Sequence, residues 1–307
     1  MAASEQYRRQ AALLVRTLPL LATETCFALK GGTAINLFVR DMPRLSVDID
    51  LTYLPVEARA TSLTSIDAAM RRLEKKIREG LRGTRVTSSA LKPGNFVSKI
   101  FVESDGVQVK IEVTPVLRGC VYEPRTMSVS RPVEAQFGFA AIQVVSFDDL
   151  YAGKLVAALD RQHPRDLFDV RDLLANEGIG PDLRRAFLVY IISHNRPMAE
   201  VLAPARLDIA QEFTRGFEGM TEIAVTFDDL LRTREEFIEE LVGKMPAEHR
   251  RFLLSVKEGN PEWELLGIPH VQNLPAVQWR LQNLAKADPK KWESLLGNLR
   301  KALTVEG

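Results

Sequence analysis

The 307-residue sequence has two cysteines, Cys26 and Cys120, and four histidines. Two thiols cannot build a disulfide framework, and neither is followed by the Cys or His spacing of a structural zinc site, so a reducing cytoplasm is the expected compartment. Runs of about 18 uninterrupted apolar residues, the minimum for a membrane span, are lacking. The N-terminal stretch MAASEQYRRQAALLVRTLPLLA puts two arginines ahead of apolar residues as a secretory signal does, but Arg16, Thr17 and Pro19 break the run. Tyr7, Ala11, Leu14, Leu18 and Leu21 recur at three-to-four spacing, which predicts an amphipathic helix in a soluble protein without targeting. An excess of one charge is also missing. Forty-one Lys and Arg oppose 40 Asp and Glu, and the net +1 excludes a uniformly basic binder of nucleic acid or of an anionic membrane. No repeat or low-complexity tract is evident, and 46% hydrophobic with 26% charged side chains describes a globular chain long enough for two domains.

What is present changes character near residue 146. Before it, helical and strand patterns alternate; after it, nearly everything reads as helix or as short Pro/Gly connections. The expectation is an α+β domain over 1–145 and a mainly helical domain over 146–307. FALKGGTAINLFV at 27–39 opens a short helix from a Gly-Gly turn. SVDIDLTYL at 46–54 alternates Val47, Ile49 and Leu51 with Asp48 and Asp50, the period of a strand. Ile66, Met70, Leu73, Ile77 and Leu81 line one face of a helix expected over about 65–82. NFVSKIFVES and VQVKIEVTP flank Asp105-Gly106, a hairpin signal because both central turn positions need positive φ. In the second strand Val107, Val109, Ile111 and Val113 face one way, which places Glu112 opposite the core side. Ser146 with Asp149 three residues later reads as a helix start, FDDLYAGKLVAALDR follows, Pro164 breaks it, and RDLFDVRDLLAN begins another helix.

Asp48 and Asp50, two residues apart on one strand, project from the same face about 6–7 Å apart. Such carboxylates repel one another unless a divalent cation joins them; a solvated strand face is the alternative. Gly31-Gly32-Thr33 upstream lets backbone amides approach a phosphate at a helix start, or is simply a turn. Glu112, on a strand of matching parity, can complete a three-carboxylate site for phosphoryl or nucleotidyl transfer.

KGGTAINLF, RLSVDIDL, VKIEV and GKLVAALDRQHPRDLFDV together resemble the AbiEii/AbiGii toxin family, including its MenT-type members, which are small nucleotidyltransferases of the polymerase-β-like superfamily. The likeness is strongest from Lys30 to Asp169 and extends more loosely to PAVQWRLQNL. It implies a polymerase-β-like nucleotidyltransferase domain with a mixed sheet, followed by the helical domain. It implies Gly31, Gly32 and Thr33 at nucleotide phosphates, Asp48, Asp50 and Glu112 on Mg²⁺, and Lys154 at the triphosphate. Arg165, Asp166 and Asp169 follow as its neighbours, with Asp166 orienting the lysine or acting as a base. Glu112 departs from the Asp common in related transferases. Ser46 either bonds a phosphate or finishes a strand edge, and His163, bordering the motif, is a loop residue or a base. The family implies a monomeric, cytoplasmic toxin using an NTP, restrained by a cognate antitoxin and linked to phage defence. Its acceptor is expected to be the tRNA 3′ end. Nucleotidyl transfer to a protein or small molecule, and a non-catalytic module binding nucleic acid or antitoxin, stay open as alternatives.

Charge is segregated along the chain. Residues 71–92 carry eight basic and two acidic side chains, so Arg71, Arg72, Lys75, Lys76 and Arg78 are expected beside the site and available to phosphates. Residues 278–301 carry six basic against two acidic, with Trp279 and Trp292 expected to stack on bases or pack a core. Residues 227–240 hold six acids and two arginines, a segment suited to a basic protein partner.

Overall fold

The computed structural model describes residues 5–303 except Val47, Pro93, Glu222 and Ala287. Val47, which the sequence assigns to the apolar face of its strand, lies outside the described residues. The chain divides into two compact units, Met1–Ser146 with Gly219–Ala224, and Phe147–Glu218 with Val225–Gly307. Among the described residues no helix is long and apolar enough to cross a membrane.

The first unit is a seven-stranded mixed sheet with helices. Its strands are β1 (Phe27–Lys30), β2 (Ile49–Tyr53), β3 (Arg85–Leu91), β4 (Phe96–Ser104), β5 (Val107–Val113), β6 (Arg125–Ser128) and β7 (Ala141–Val144), in spatial order β3-β4-β5-β2-β1-β7-β6. β2 lies parallel to β5 and β1 parallel to β7, while the other neighbours are antiparallel. α1 (Glu5–Leu21) and α3 (Arg59–Gly80) pack on the sheet, because each carries an apolar stripe at helical spacing: Leu14, Leu18 and Leu21 in one, Ile66, Met70, Leu73 and Ile77 in the other. Each of these side chains is almost wholly withdrawn from water and contributes about 1.5–3 kcal/mol. α3 begins at Arg59, six residues before the expected start. Its first turn is exposed apart from Ser62, so apolar periodicity cannot mark it.

α2 (Gly31–Ala34) runs straight into a π-helical turn, Ile35–Val39, where a plain helix was expected. The hairpin forms as expected: Asp105 and Gly106 adopt φ of 49° and 74° and join β4 to β5. The helix α4 (Arg131–Phe137) and the strands β6 and β7 complete the unit. The distant segment 219–224 returns to it through an antiparallel bridge of Arg44 to Thr221, with Leu45 N–H donating to Met220 O at 3.0 Å.

The second unit is helical: α5 (Phe147–Arg161), α6 (Pro164–Asn176), α7 (Pro181–Ser193), α8 (Met198–Leu202), α9 (Ala210–Gly216), α10 (Phe227–Ile238), α11 (Ala247–Glu258), α12 (Pro275–Ala285) and α13 (Pro289–Leu303). α5 packs on α6 and α7 around Leu155, Leu159, Phe168 and Phe187. α10 starts with a capping box in which the Thr226 hydroxyl accepts from the Asp229 amide and the Asp229 carboxylate accepts from the Thr226 amide.

Candidate active site

Strand register, more than any single motif, assembles the charged groups of the sheet. Lys30 pairs with Asp50, Asp50 with Glu112, and Glu112 with Lys99, so β1, β2, β5 and β4 contribute one row of side chains to one face. The row reads cation, acid, acid, cation. The opposite face carries Ile49, Leu51, Val109, Ile111 and Val113 in the core, which fixes the row outward through the period of two.

Asp48 is not in the strand. β2 begins at Ile49, because the Asp48 carbonyl accepts from the Thr33 hydroxyl at 2.5 Å and is turned toward the glycine turn. Its exposed carboxylate still reaches the row: Lys110 Nζ lies 3.2 Å from Asp48 Oδ2 and 3.2 Å from Glu112 Oε2, and Lys99 Nζ lies 3.0 Å from Glu112 Oε1. Lys30 Nζ donates to Thr114 Oγ1 at 3.2 Å. An open cleft of about 420 Å³ borders Asp48 and Lys110 and is lined further by Gln6, Gln10 and Phe101.

These neighbours set the acid strengths. Burial pushes the Asp50 carboxyl above its usual range, and Asp48 and Glu112 add to the rise while Lys30 and Lys110 oppose it. Burial would also raise Glu112, but hydrogen bonds from Lys99 and Lys110 hold it below the usual carboxylate range. Burial pushes the Lys30 ammonium down, partly offset by Asp50. Lys110 goes up, because its bonds to Glu112 and Asp48 outweigh its own burial.

Glycine is required where the turn meets the row. Gly31 has φ of +77°, and a Cβ there would stand 2.6 Å from Asp50 Oδ2. At Gly32 a Cβ would stand 2.7 Å from an Arg44 guanidinium nitrogen and 3.0 Å from Ser46 Oγ. Thr33 Oγ1 and Ser46 Oγ are 3.2 Å apart, and Asn36 Nδ2 donates to Gly32 O at 2.7 Å, so the turn is laced to the 44–48 segment. Arg44 itself is buried and donates to Leu45 O at 2.9 Å. The first amides of a helix have no intrahelical partner and suit an anion.

Among the described residues no three His, Cys, Asp or Glu side chains converge as a metal cage. The donor chemistry nonetheless fits a hard divalent cation. Asp48 and Glu112 already turn to one shared positive charge, the Lys110 ammonium, and Asp50 adjoins Glu112 in register.

In the helical unit, Lys154 is buried. Its Nζ lies 2.7 Å from Asp166 Oδ1 and 2.9 Å from Asp169 Oδ2, and Arg161 Nε lies 2.6 Å from Asp166 Oδ2. Burial alone would raise the Asp166 carboxyl, but the Lys154 charge and the Arg161 hydrogen bond hold it well below the usual range. An acid so held is a poor proton acceptor at neutral pH, so of the two roles expected for Asp166 the arrangement supports orientation rather than base chemistry. Arg165 does not join the cluster; it is exposed, and Arg161 stands at Asp166 instead. His163 caps α6, its Nδ1 accepting from the Arg165 amide at 3.1 Å.

The sequence reading passed over Lys30, Lys99, Lys110, Arg44 and Arg161. Lys110 carried a usable signal, sitting two residues before Glu112 on the same strand face. The basic segment behaves otherwise than expected. Arg72 and Lys76 pair with the buried Glu24, Arg71 with Asp67, Arg78 with Glu74, and Lys75 with Glu79. Glu24 precedes the start of β1, whereas Lys30 and the acidic row are at its other end; the later part of the segment is β3, whose Ser89 pairs in register with Lys99 of the row. Trp279 is 55% exposed rather than packed in a core, while the Trp292 indole donates to Lys257 O at 3.0 Å.

A family model described as the nucleotidyl transferase AbiEii toxin of a type IV toxin–antitoxin system matches residues 12–283. Among solved structures, the fold is similar to that of MenT4, a nucleotidyltransferase toxin from Mycobacterium tuberculosis H37Rv, with a TM-score of 0.63 and 16% identity over 92% of this chain and 95% of that one. A search of curated proteins finds no match to the chain.

Proposed function

Because the chain belongs to the AbiEii family of nucleotidyltransferase toxins, we propose that it transfers the nucleoside monophosphate of an NTP to the 3′ end of tRNA and thereby blocks translation. The observation that carries this reading is the row Lys30, Asp50, Glu112 and Lys99 lying against the Gly31-Gly32 turn. The acceptor hydroxyl oxygen forms a bond to the α-phosphorus as the bond from that phosphorus to the departing pyrophosphate breaks; the hydroxyl proton leaves to solvent. Asp48, Asp50 and Glu112 would hold Mg²⁺, whose charge offsets that developing on the phosphates. The turn at Gly31, Gly32 and Thr33 offers amides to phosphate oxygens, and Ser46 sets the 44–48 segment against it through Thr33. Asp166 and Asp169 position the Lys154 ammonium as a fixed cation for phosphate. The protein would act in the cytoplasm and be restrained by a cognate antitoxin.

Purified protein incubated with Mg²⁺, each labelled NTP in turn and total tRNA tests the reading, with RNA and protein fractions counted separately and RNA 3′ ends sequenced. Extension of tRNA 3′ ends is expected, and Asp48→Ala or Asp50→Ala should reduce it at least about a hundredfold, the scale of losing a principal electrostatic stabiliser. Label confined to protein would exclude tRNA as the acceptor, and undiminished labelling by both variants would exclude the acidic row as the site.

A further inference from the structure

A second cavity, of about 590 Å³, lies within the helical unit among α8, α11, α12 and α13. Four cationic side chains line it, Lys257, Arg280, Lys286 and Lys291, against one carboxylate, Asp288. That carboxylate is engaged at the start of α13, where Asp288 Oδ1 accepts from the Lys291 amide at 3.1 Å.

Lys257 is the unusual member. As a residue it is 7% exposed, and it lines the cavity with no carboxylate paired to its ammonium among the described residues. Arg280 beside it donates to the carbonyls of Ile192, His194 and Arg196, while among the described residues no carboxylate pairs with it. Burial, followed by the charges of Arg280 and Lys291, pushes the Lys257 ammonium below its usual range. Buried charge without a counter-charge is unfavourable unless a ligand supplies one. The Lys257 stem is buried while its head opens onto the cavity.

We propose that this pocket binds the phosphate of a nucleotide, either free or at the 5′ end of an RNA strand. Lys257 and Arg280 meet the phosphate from the interior and Lys291 from the rim. Leu284 and Leu299 form an apolar wall for the base. The volume is within the roughly 300–1,000 Å³ of small-ligand sites, and a doubly charged phosphate matches several cations better than a single carboxylate does. The pocket shares no residue with the acidic row and does not rest on nucleotidyl transfer.

The test uses the full chain carrying Asp48→Ala and Asp50→Ala, which weakens nucleotide binding at the acidic row. Adenosine 5′-monophosphate and a 5′-phosphorylated adenosine trinucleotide are titrated by calorimetry, with adenosine and the unphosphorylated trinucleotide as controls. At least one phosphorylated probe should bind, at least tenfold more tightly than its control. Binding of the mononucleotide alone identifies a free nucleotide as the ligand, binding of the trinucleotide alone identifies an RNA end, and binding of both supports the shared phosphate chemistry. Lys257→Met should weaken binding at least tenfold and raise the melting temperature of the unliganded protein, since it relieves repulsion with Arg280 and Lys291. Lys291→Glu, at an exposed position, should weaken binding to a similar degree even where Lys257→Met fails to fold. Absence of binding by both phosphorylated probes, or binding unchanged in Lys291→Glu and in a folded Lys257→Met, overturns the proposal.

Discussion

Lys154 joins two carboxylates that, like itself, are buried, and removing it would leave Asp169 without that counter-charge while Asp166 keeps Arg161. Breaking a buried pair from one side costs about 3–5 kcal/mol. Lys154→Met is therefore expected to lower stability by about 3 kcal/mol in urea titrations, and adding Asp169→Asn should restore part of it, a non-additivity that a double-mutant cycle reads directly. Additive losses would show that the two groups do not interact. The acid response follows from Asp166. Its folded carboxyl sits below the unfolded value of about 3.9, so its stabilising contribution is complete above that pH and is lost as pH falls toward the folded value. Urea midpoints measured from about pH 6 down to about pH 3 should fall at the acid end, and less steeply in Lys154→Met, where the carboxyl is less depressed. The sequence motif Gly-Lys…Pro-Arg-Asp marked these residues as a group. It did not reveal that Arg161 rather than Arg165 faces Asp166, because residues 161 and 165 flank a helix break whose geometry no periodicity encodes.

At the scale of elements, the turn between β1 and α2 binds the sheet to the site. Gly31 sits at φ of +77° with the Asp50 carboxylate where its Cβ would be. Gly31→Ala combines the left-handed strain of an L-residue, about 1–2 kcal/mol, with displacement of Asp50. It should lower stability by that amount and reduce nucleotidyl transfer at least about tenfold, the effect of a small misplacement at a reacting centre. Gly32→Ala pushes instead on Arg44 and Ser46, and should leave Asp50 in register. Equal transfer rates for Gly31→Ala and the parent, both folded, would separate the turn from the site. The β4–β5 hairpin was legible because Asp105-Gly106 encodes its own turn, and the outward position of Glu112 followed from strand period alone. The π-turn at Ile35–Val39, the strands β6 and β7, and the start of β2 at Ile49 were not, since each is set by partners far along the chain: Ser130 N–H donates to Leu37 O, and the Asp48 carbonyl accepts from Thr33.

Across the whole molecule, a net charge of +1 conceals a division of labour that linear counting misreads. Residues 71–92 have the larger positive excess, yet Arg72 and Lys76 are held by Glu24, which is 8% exposed, and Arg71, Lys75 and Arg78 by acids on their own helix. The smaller excess in 278–301 includes Arg280 and Lys291, which with Lys257 face a cavity bearing one engaged carboxylate. Charges already matched release few counterions on meeting RNA, whereas unmatched ones contribute close to one each to the salt dependence of binding. Arg72→Gln with Lys76→Gln should therefore leave tRNA affinity and its salt slope unchanged in filter-binding titrations across a salt series. The same pair should destabilise the sheet unit by about 1–3 kcal/mol, because Glu24 loses the charge-assisted bonds that offset its burial. A flattened salt slope with stability intact would instead place the long helix of the sheet unit on a surface that meets RNA.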